Sequence, residues 1–235
     1  MRAWRWVPLL VPPVRTCRET IGGKGICVRI HLLYPEHATH DEELVMTHIQ
    51  VILGSTRQGR SGDKVANWFM QHAAAHPGLS AELVDLADWP LPFFDAPVPP
   101  AMQEPQDART VAWADKVSAA DGYVLVTPEY NHGYPAVLKN ALDHVVRPWR
   151  HKPVGFVGYG GPGAGVRAVE QLRQVVVELE MVPLRQQVAI QNVYMAFDID
   201  GALTNPTGPD RQAAAVLDEL AWWSRSLSHL RAAAR

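Results

Sequence analysis

The sequence predicts an α/β domain built on an open, parallel sheet. Three apolar runs, at 48–53, 122–126 and 152–158, have the length and near-continuous hydrophobicity of strands buried on both faces. Each opens into a loop dense in glycine, hydroxyl or amide groups, and each loop leads into a segment with apolar residues at helical spacing. Strand, loop and helix in that repeated order describe a sheet whose ligand crevice lies at the carboxyl ends of its strands.

The elements follow in order. The first strand, at 48–53, precedes a helix carrying Val65, Phe69 and His72 or Ala73 on one side. A second strand alternates through 81–86. The proline-rich passage 89–105 cannot be a helix interior and reads as an ordered surface loop. Residues 107–120 are helical in composition, with Val111, Ala114 and Val117 or Ser118 along one side. After the third strand, at 122–126, Pro135 takes a first-turn position, and Val137, Leu138, Ala141, Leu142 and Val145 form a buried face. The fourth strand, at 152–158, leads to a helix with Val169, Leu172, Val176 and Leu179 in step. A fifth strand falls near 182–190. From Pro209 a closing helix carries Ala214, Leu217, Leu220 or Ala221, Ser224 and Leu227, with Trp222 and Trp223 as core or subunit-interface residues.

Three loops carry the chemistry. Gly54-Ser55-Thr56-Arg57-Gln58-Gly59-Arg60-Ser61-Gly62 joins a strand to a helix N-terminus, where free backbone N–H groups and the positive end of the helix dipole favour a phosphate. Ser55, Thr56 and Ser61 add hydroxyl donors, and Arg57 and Arg60 add charge-assisted ones. The loop lacks the Gly-Lys-Ser/Thr ending of nucleoside triphosphatases and the three-glycine spacing of dinucleotide folds. A terminal monophosphate fits it better than a pyrophosphate. The second loop, Thr127-Pro128-Glu129-Tyr130-Asn131-His132-Gly133-Tyr134-Pro135, is rich in rings and amides and suits a flat, polar-edged heterocycle. An ordinary connecting loop would also use its Pro128, Asn131 and Gly133. The third, Tyr159-Gly160-Gly161-Pro162-Gly163-Ala164-Gly165, lets backbone approach a ligand with no Cβ in the way.

Composition excludes several classes. With 235 residues, 47% hydrophobic and 20% charged, the chain has material for one domain plus a tail. A net charge of −2 with scattered cations offers no nucleic-acid surface, and no run of apolar residues is long enough to span a bilayer. Cys17 and Cys27 both precede residue 46, so the body has no cysteine nucleophile, thiolate cluster or disulfide. It shows no close His/Asp/Glu cluster and no Gly-x-Ser-x-Gly elbow. Residues 1–45 stand outside the strand–helix rhythm and are expected to be an irregular leader, either disordered or not native, with Met46 as the biological start. Pro8, Pro12 and Pro13 interrupt what would be a signal-peptide core, so a cytoplasmic location is expected.

Gly-Ser-Thr-Arg-x-Gly-Arg at 54–60, Pro-Glu-Tyr-Asn followed by Pro-x-x-Leu-Lys-Asn-Ala-x-Asp across 128–143, and Tyr-Gly-Gly from 159 resemble the NAD(P)H-dependent FMN reductases, which are flavodoxin-like flavoproteins. The resemblance covers roughly 46–190. It implies a doubly wound, five-stranded parallel sheet of order 2-1-3-4-5 in a domain spanning 46–235, with FMN at the carboxyl edge. The phosphate would lie on Ser55, Thr56, Arg57 and Ser61, with Arg60 nearby. The isoalloxazine would lie against Pro128, Glu129, Tyr130 and Asn131, with the Gly160 and Gly161 backbone at its pyrimidine edge. A carboxylate beside a reduced flavin is repulsive, so Glu129 is expected to serve through its backbone or to turn its carboxylate outward. Tyr130 would cover a ring face or act as a core aromatic. Lys139, Asn140 and Asp143 would orient the loop or meet another subunit.

No protein residue is needed as a nucleophile, because flavin accepts hydride at N5. The implied activity is a ping-pong transfer from NADPH or NADH to a small acceptor such as free FMN, a quinone, an azo compound or a metal oxyanion, in a homodimer or homotetramer. A flavodoxin-like carrier serving a protein partner and a non-catalytic interaction protein are the alternative readings.

Overall fold

The structure is a computed structural model and describes residues 46–233; the leader expected at 1–45 lies outside the described residues. Five strands, β1 Thr47–Leu53, β2 Leu79–Asp85, β3 Gly122–Pro128, β4 Pro153–Tyr159 and β5 Val182–Ile190, form one sheet of order β2-β1-β3-β4-β5. Every pairing is parallel. The helices are α1 Gly62–Ala75, α2 Ala108–Ser118, α3 Ala136–Asp143, α4 Val166–Glu178, the short α5 Val193–Ala196, and α6 Thr207–Ala233.

Alternation along the strands divides the core in two. Ile49, Val51, Leu53, Val124 and Val126 face α1 and α6, while Ile52, Tyr123, Leu125, Val154 and Phe156 face α2, α3 and α4. All seven residues of β3 and of β4 are buried, which is why their sequences are almost uninterruptedly apolar. The chain steps from β1 to β2 on one side and then to β3 on the other, so loops diverge above β1 and β3 and leave a crevice.

Two helices differ from expectation by one position. On α2 the buried stripe is Thr110, Trp113 and Val117, and Val111 is 38% exposed. Asp107 sets the phase by accepting from the N–H groups of Arg109 and Thr110, and Trp113 locks it by donating to Ala141 O at 2.8 Å. On α6, Ala213 and Val216 are buried where Ala214 was expected, because a run of three alanines does not define a face. Pro135 stands as the N-cap of α3 rather than inside its first turn. Trp222 is exposed and Trp223 packs on the rim of the core.

Candidate active site

The loop leaving β1 is pressed against β3. A Cβ on Gly54 would meet Leu138 Cδ2 at 2.9 Å and Val126 O at 3.1 Å, so any larger residue would have to push the Leu138 side chain aside. Ser55 is 1% exposed, and its Oγ shares a 2.8 Å hydrogen bond with the Tyr130 hydroxyl, joining the first loop to the second. Beyond it Thr56, Arg57, Gln58 and Gly59 are exposed. Ser61 is the N-cap of α1 but makes no side-chain cap bond, so the first-turn N–H groups keep their donor capacity.

The loop's two arginines diverge. Arg57 donates only to carbonyls of its own loop, Gln58 O at 3.0 Å and Gly59 O at 3.2 Å. Arg60 pairs with Asp85 at the end of β2, with Asp63 in α1 and with Ser55 O. The Asp85 bond raises the Arg60 guanidinium above its ordinary range, against the pull of burial and with help from Asp63. Burial pushes the Asp85 carboxyl up, but Arg60 and the Ala87 N–H outweigh it and hold the group below its usual pKa. Arg60 therefore builds the loop, while Arg57 has no carboxylate partner among the described residues.

After β3 the chain makes a two-residue hairpin. Tyr130 and Gly133 exchange backbone hydrogen bonds at 2.8 and 3.0 Å, while Asn131 and His132 both take positive φ, 51° and 71°. Positive φ at both central positions is the signature of a type I′ turn and suits asparagine. The Glu129 carboxylate is not turned outward. Only 6% exposed, it accepts from the Arg167 backbone N–H at 3.2 Å, from Nε at 2.5 Å, and from a terminal nitrogen. Burial raises its pKa, yet the Arg167 bonds prevail and hold it below the ordinary range. The repulsive charge expected beside a reduced ring is thus neutralised from α4.

The third loop folds back on its strand. Gly165, at φ +79°, leaves so little room that a Cβ would sit 2.5 Å from Tyr159 N. Gly160 and Gly161 each accept a backbone hydrogen bond from the start of α5, from Val193 at 2.9 Å and Asn192 at 3.1 Å. A Cβ on Gly161 would meet nothing within 4 Å. That side of Gly161 faces open space.

The fold thus places all eleven expected residues on one edge, Pro128 as the last residue of β3 and the other ten in the three loops that follow the strands. It contacts Ser55 with Tyr130 directly and brings Gly160 to the Glu129 side chain. Asp85 and Arg167 complete the arrangement without having been singled out, and Tyr159, which opens the Tyr-Gly-Gly motif, had been given no role of its own. Asp85 carried one signal, an acid at the carboxyl end of the strand beside β1. Lys139 and Asp143 pair with each other at 2.8 Å, and Asn140 holds the proline-rich segment through Pro92 O and the Phe94 N–H. A separate cavity of about 560 Å³ under that segment is lined by Phe94, Val98, Pro105, Thr110 and His144 among others, and by no residue of the three loops. Among the described residues no cluster of His, Cys, Asp or Glu could hold a metal, and no helix is long and apolar enough to cross a membrane.

This donor set fits a flavin monophosphate. A helix N-terminus without a side-chain cap, hydroxyls and an arginine with no acidic partner among the described residues are donors that a phosphate could accept from, and a glycine turn could admit a flat ring edge. A model of the NADPH-dependent FMN reductase family matches residues 47–194. A NAD(P)H-dependent FMN reductase of Schizosaccharomyces pombe is 44% identical over 135 residues, 57% of this chain and 67% of the relative. An FMN-dependent NADPH-azoreductase of Staphylococcus aureus is 31% identical over 155 residues, 65% of this chain and 81% of its own. In fold, the chain resembles the flavoenzyme NAD(P)H:acceptor oxidoreductase FerB of Paracoccus denitrificans, with a TM-score of 0.61 at 23% identity over 77% of this chain and 98% of that one. The chain belongs to the NADPH-dependent FMN reductase family.

Proposed function

We propose that this protein is an FMN-dependent NAD(P)H oxidoreductase that passes two electrons through bound flavin to a small acceptor. The observation that carries the reading is the placement, at the edge where strand order reverses, of the α1 N-terminus, Ser55, Ser61 and Arg57 together with the Gly160–Gly161 turn, whose Gly161 faces open space. Ser55, Thr56, Arg57 and Ser61 are assigned to the phosphate, and Arg60 to holding their loop. Pro128, Glu129, Tyr130 and Asn131 are assigned to the ring.

Bound flavin supplies the hydride acceptor, and the chain supplies position and electrostatics. The hairpin at Asn131 and His132 gives the ring a fixed wall. Arg167 neutralises Glu129, so no unpaired carboxylate opposes negative charge on the ring. The described residues form one compact fold with no separate nicotinamide domain, so NAD(P)H and acceptor occupy the same cleft in turn. An open site of this kind accepts free FMN, quinones, azo compounds or metal oxyanions. The reading carries with it a cytoplasmic homodimer or homotetramer, for which the exposed Trp222, Phe93 and Met102 provide apolar contact surface.

Initial rates at varied NADPH and quinone test the shared cleft. Parallel double-reciprocal lines and competitive inhibition of NADPH by high quinone are expected. Intersecting lines without such inhibition would overturn it.

A further inference from the structure

We propose that the hydroxyl of Tyr159 is a hydrogen-bond donor to the terminal phosphate of the flavin, supplied to the floor of the β1–α1 loop from the distant strand β4. The inference rests on the assignment of that loop to the phosphate.

Tyr159 is the last residue of β4, which lies two strands away from β1. Its side chain packs in the core beneath α1 and is 3% exposed. The ring reaches the first residue of that helix, for a Cβ on Gly62 would stand 2.5 Å from the Tyr159 hydroxyl. Any side chain at 62 would displace the phenol, so glycine at this position keeps the hydroxyl directly under the helix N-terminus. There the hydroxyl is buried and has no hydrogen-bond partner among the described residues. Ser55 lies close enough to draw the Tyr159 phenol down against burial, but the hydrogen bond the Ser55 hydroxyl makes in good geometry is the 2.8 Å bond to Tyr130.

An unpaired buried hydroxyl is a net cost that phenylalanine would avoid while filling the same space. The contrast with Tyr123, whose hydroxyl donates to Val117 O at 2.7 Å, shows what a structural buried tyrosine looks like in this fold. Burial drives the Tyr159 phenol well above the usual tyrosine range, so the group stays protonated and acts as a donor. Beside it the N-cap Ser61 makes no side-chain cap bond. Donors without acceptors therefore lie side by side at the helix N-terminus, an arrangement that favours a phosphate monoester dianion, whose several oxygens accept at once.

The test uses Tyr159→Phe in the full chain, with FMN and riboflavin as paired probes followed by quenching of flavin fluorescence. Riboflavin has the same ring and no phosphate. The expected result is a loss of FMN affinity of about tenfold with riboflavin affinity unchanged. The flavin-free variant should unfold at the same or a higher temperature than the wild type, because a hydroxyl without a partner has been removed. Unchanged FMN affinity, in a protein whose wild type prefers FMN to riboflavin, would overturn the role of Tyr159 and leave the loop assignment standing. Equal binding of both flavins by the wild type would remove the loop assignment and the proposal with it. A fall in unfolding temperature, or equal loss of both flavins in the variant, would show the hydroxyl to be structural and also overturn the proposal.

Discussion

At the amino edge of the sheet Tyr123 and Arg231 are tied down, whereas at the carboxyl edge Tyr159 and Arg57 are not. Tyr123 OH donates to Val117 O and receives a 3.0 Å bond from Lys152, which also donates to Val117 O and Ser118 O. Arg231 of α6 meets Asp121 Oδ1 at 3.0 Å and His151 O at 2.8 Å. Tyr159 OH has no partner, and Arg57 touches only its own loop. Ser224 Oγ and Arg150 Nε are unpaired toward the amino edge as well. Ser224, however, lies inside the core against Gly122, and the Arg150 guanidinium is already paired with Glu180 at 2.9 Å. Polar groups that close on one another hold a fold together; a buried donor left unpaired among the described residues calls for another explanation, which the proposed phosphate contact supplies for Tyr159.

The largest break in this contrast comes from Gly165→Ala, which forces a Cβ against Tyr159 N at a φ of +79°. Urea unfolding should show a loss of roughly 3 kcal/mol or more, since backbone rather than a side chain must yield. Stability within error of wild type would mean the third loop is not rigid.

Next come two substitutions that should behave as mirror images. Arg57→Ala should weaken FMN binding by roughly 1.5–3 kcal/mol, the worth of a charged hydrogen bond, while flavin-free stability stays within about 0.5 kcal/mol. Asp121→Ala should cost about 1–2 kcal/mol of stability, because Arg231 and the His48 N–H lose their acceptor, and leave FMN affinity alone. If both variants lost the same property, the division between the edges would collapse.

The smallest effect is on pH dependence. Asp85 and Glu129 both have folded-state pKa values below their ordinary 3.8 and 4.5. Their contribution is therefore complete above about pH 4.5 and is lost as pH falls through the depressed values, by about 1 kcal/mol for a partly solvated pair. Arg167→Ala should be less stable than wild type at pH 7, and the gap should close as pH falls below 4.5. A gap that stayed constant to pH 3 would show that the Glu129 pair contributes nothing to stability.

Much of the fold was legible because strands buried on both faces cannot hide their composition. The 122–126 run lies within β3, the 152–158 run matches β4 to within one residue at each end, and β5 spans 182–190 as read. Helix phase was harder. On α2 the faces are chosen by Asp107 capping and by Trp113 reaching Ala141, contacts that local periodicity does not contain. The site shows the same division. Its loops were visible from position alone, each lying after a strand. The partners that give those loops their electrostatics were not, since Arg60 meets Asp85, Glu129 meets Arg167, and Tyr159 meets Gly62 only after the sheet has assembled. A sequence can present two arginines in one loop as equivalent; only the fold reveals that one of them is already paired.

The most direct test of a flavin reductase at the carboxyl edge is the absorption spectrum of the purified full chain supplied with FMN, recorded anaerobically before and after NADPH and then NADH. Retained flavin that bleaches in a single two-electron step is the predicted result, and the more effective donor identifies the physiological nucleotide. Flavin that fails to bind, or that binds and is not bleached by either nucleotide, would contradict the account.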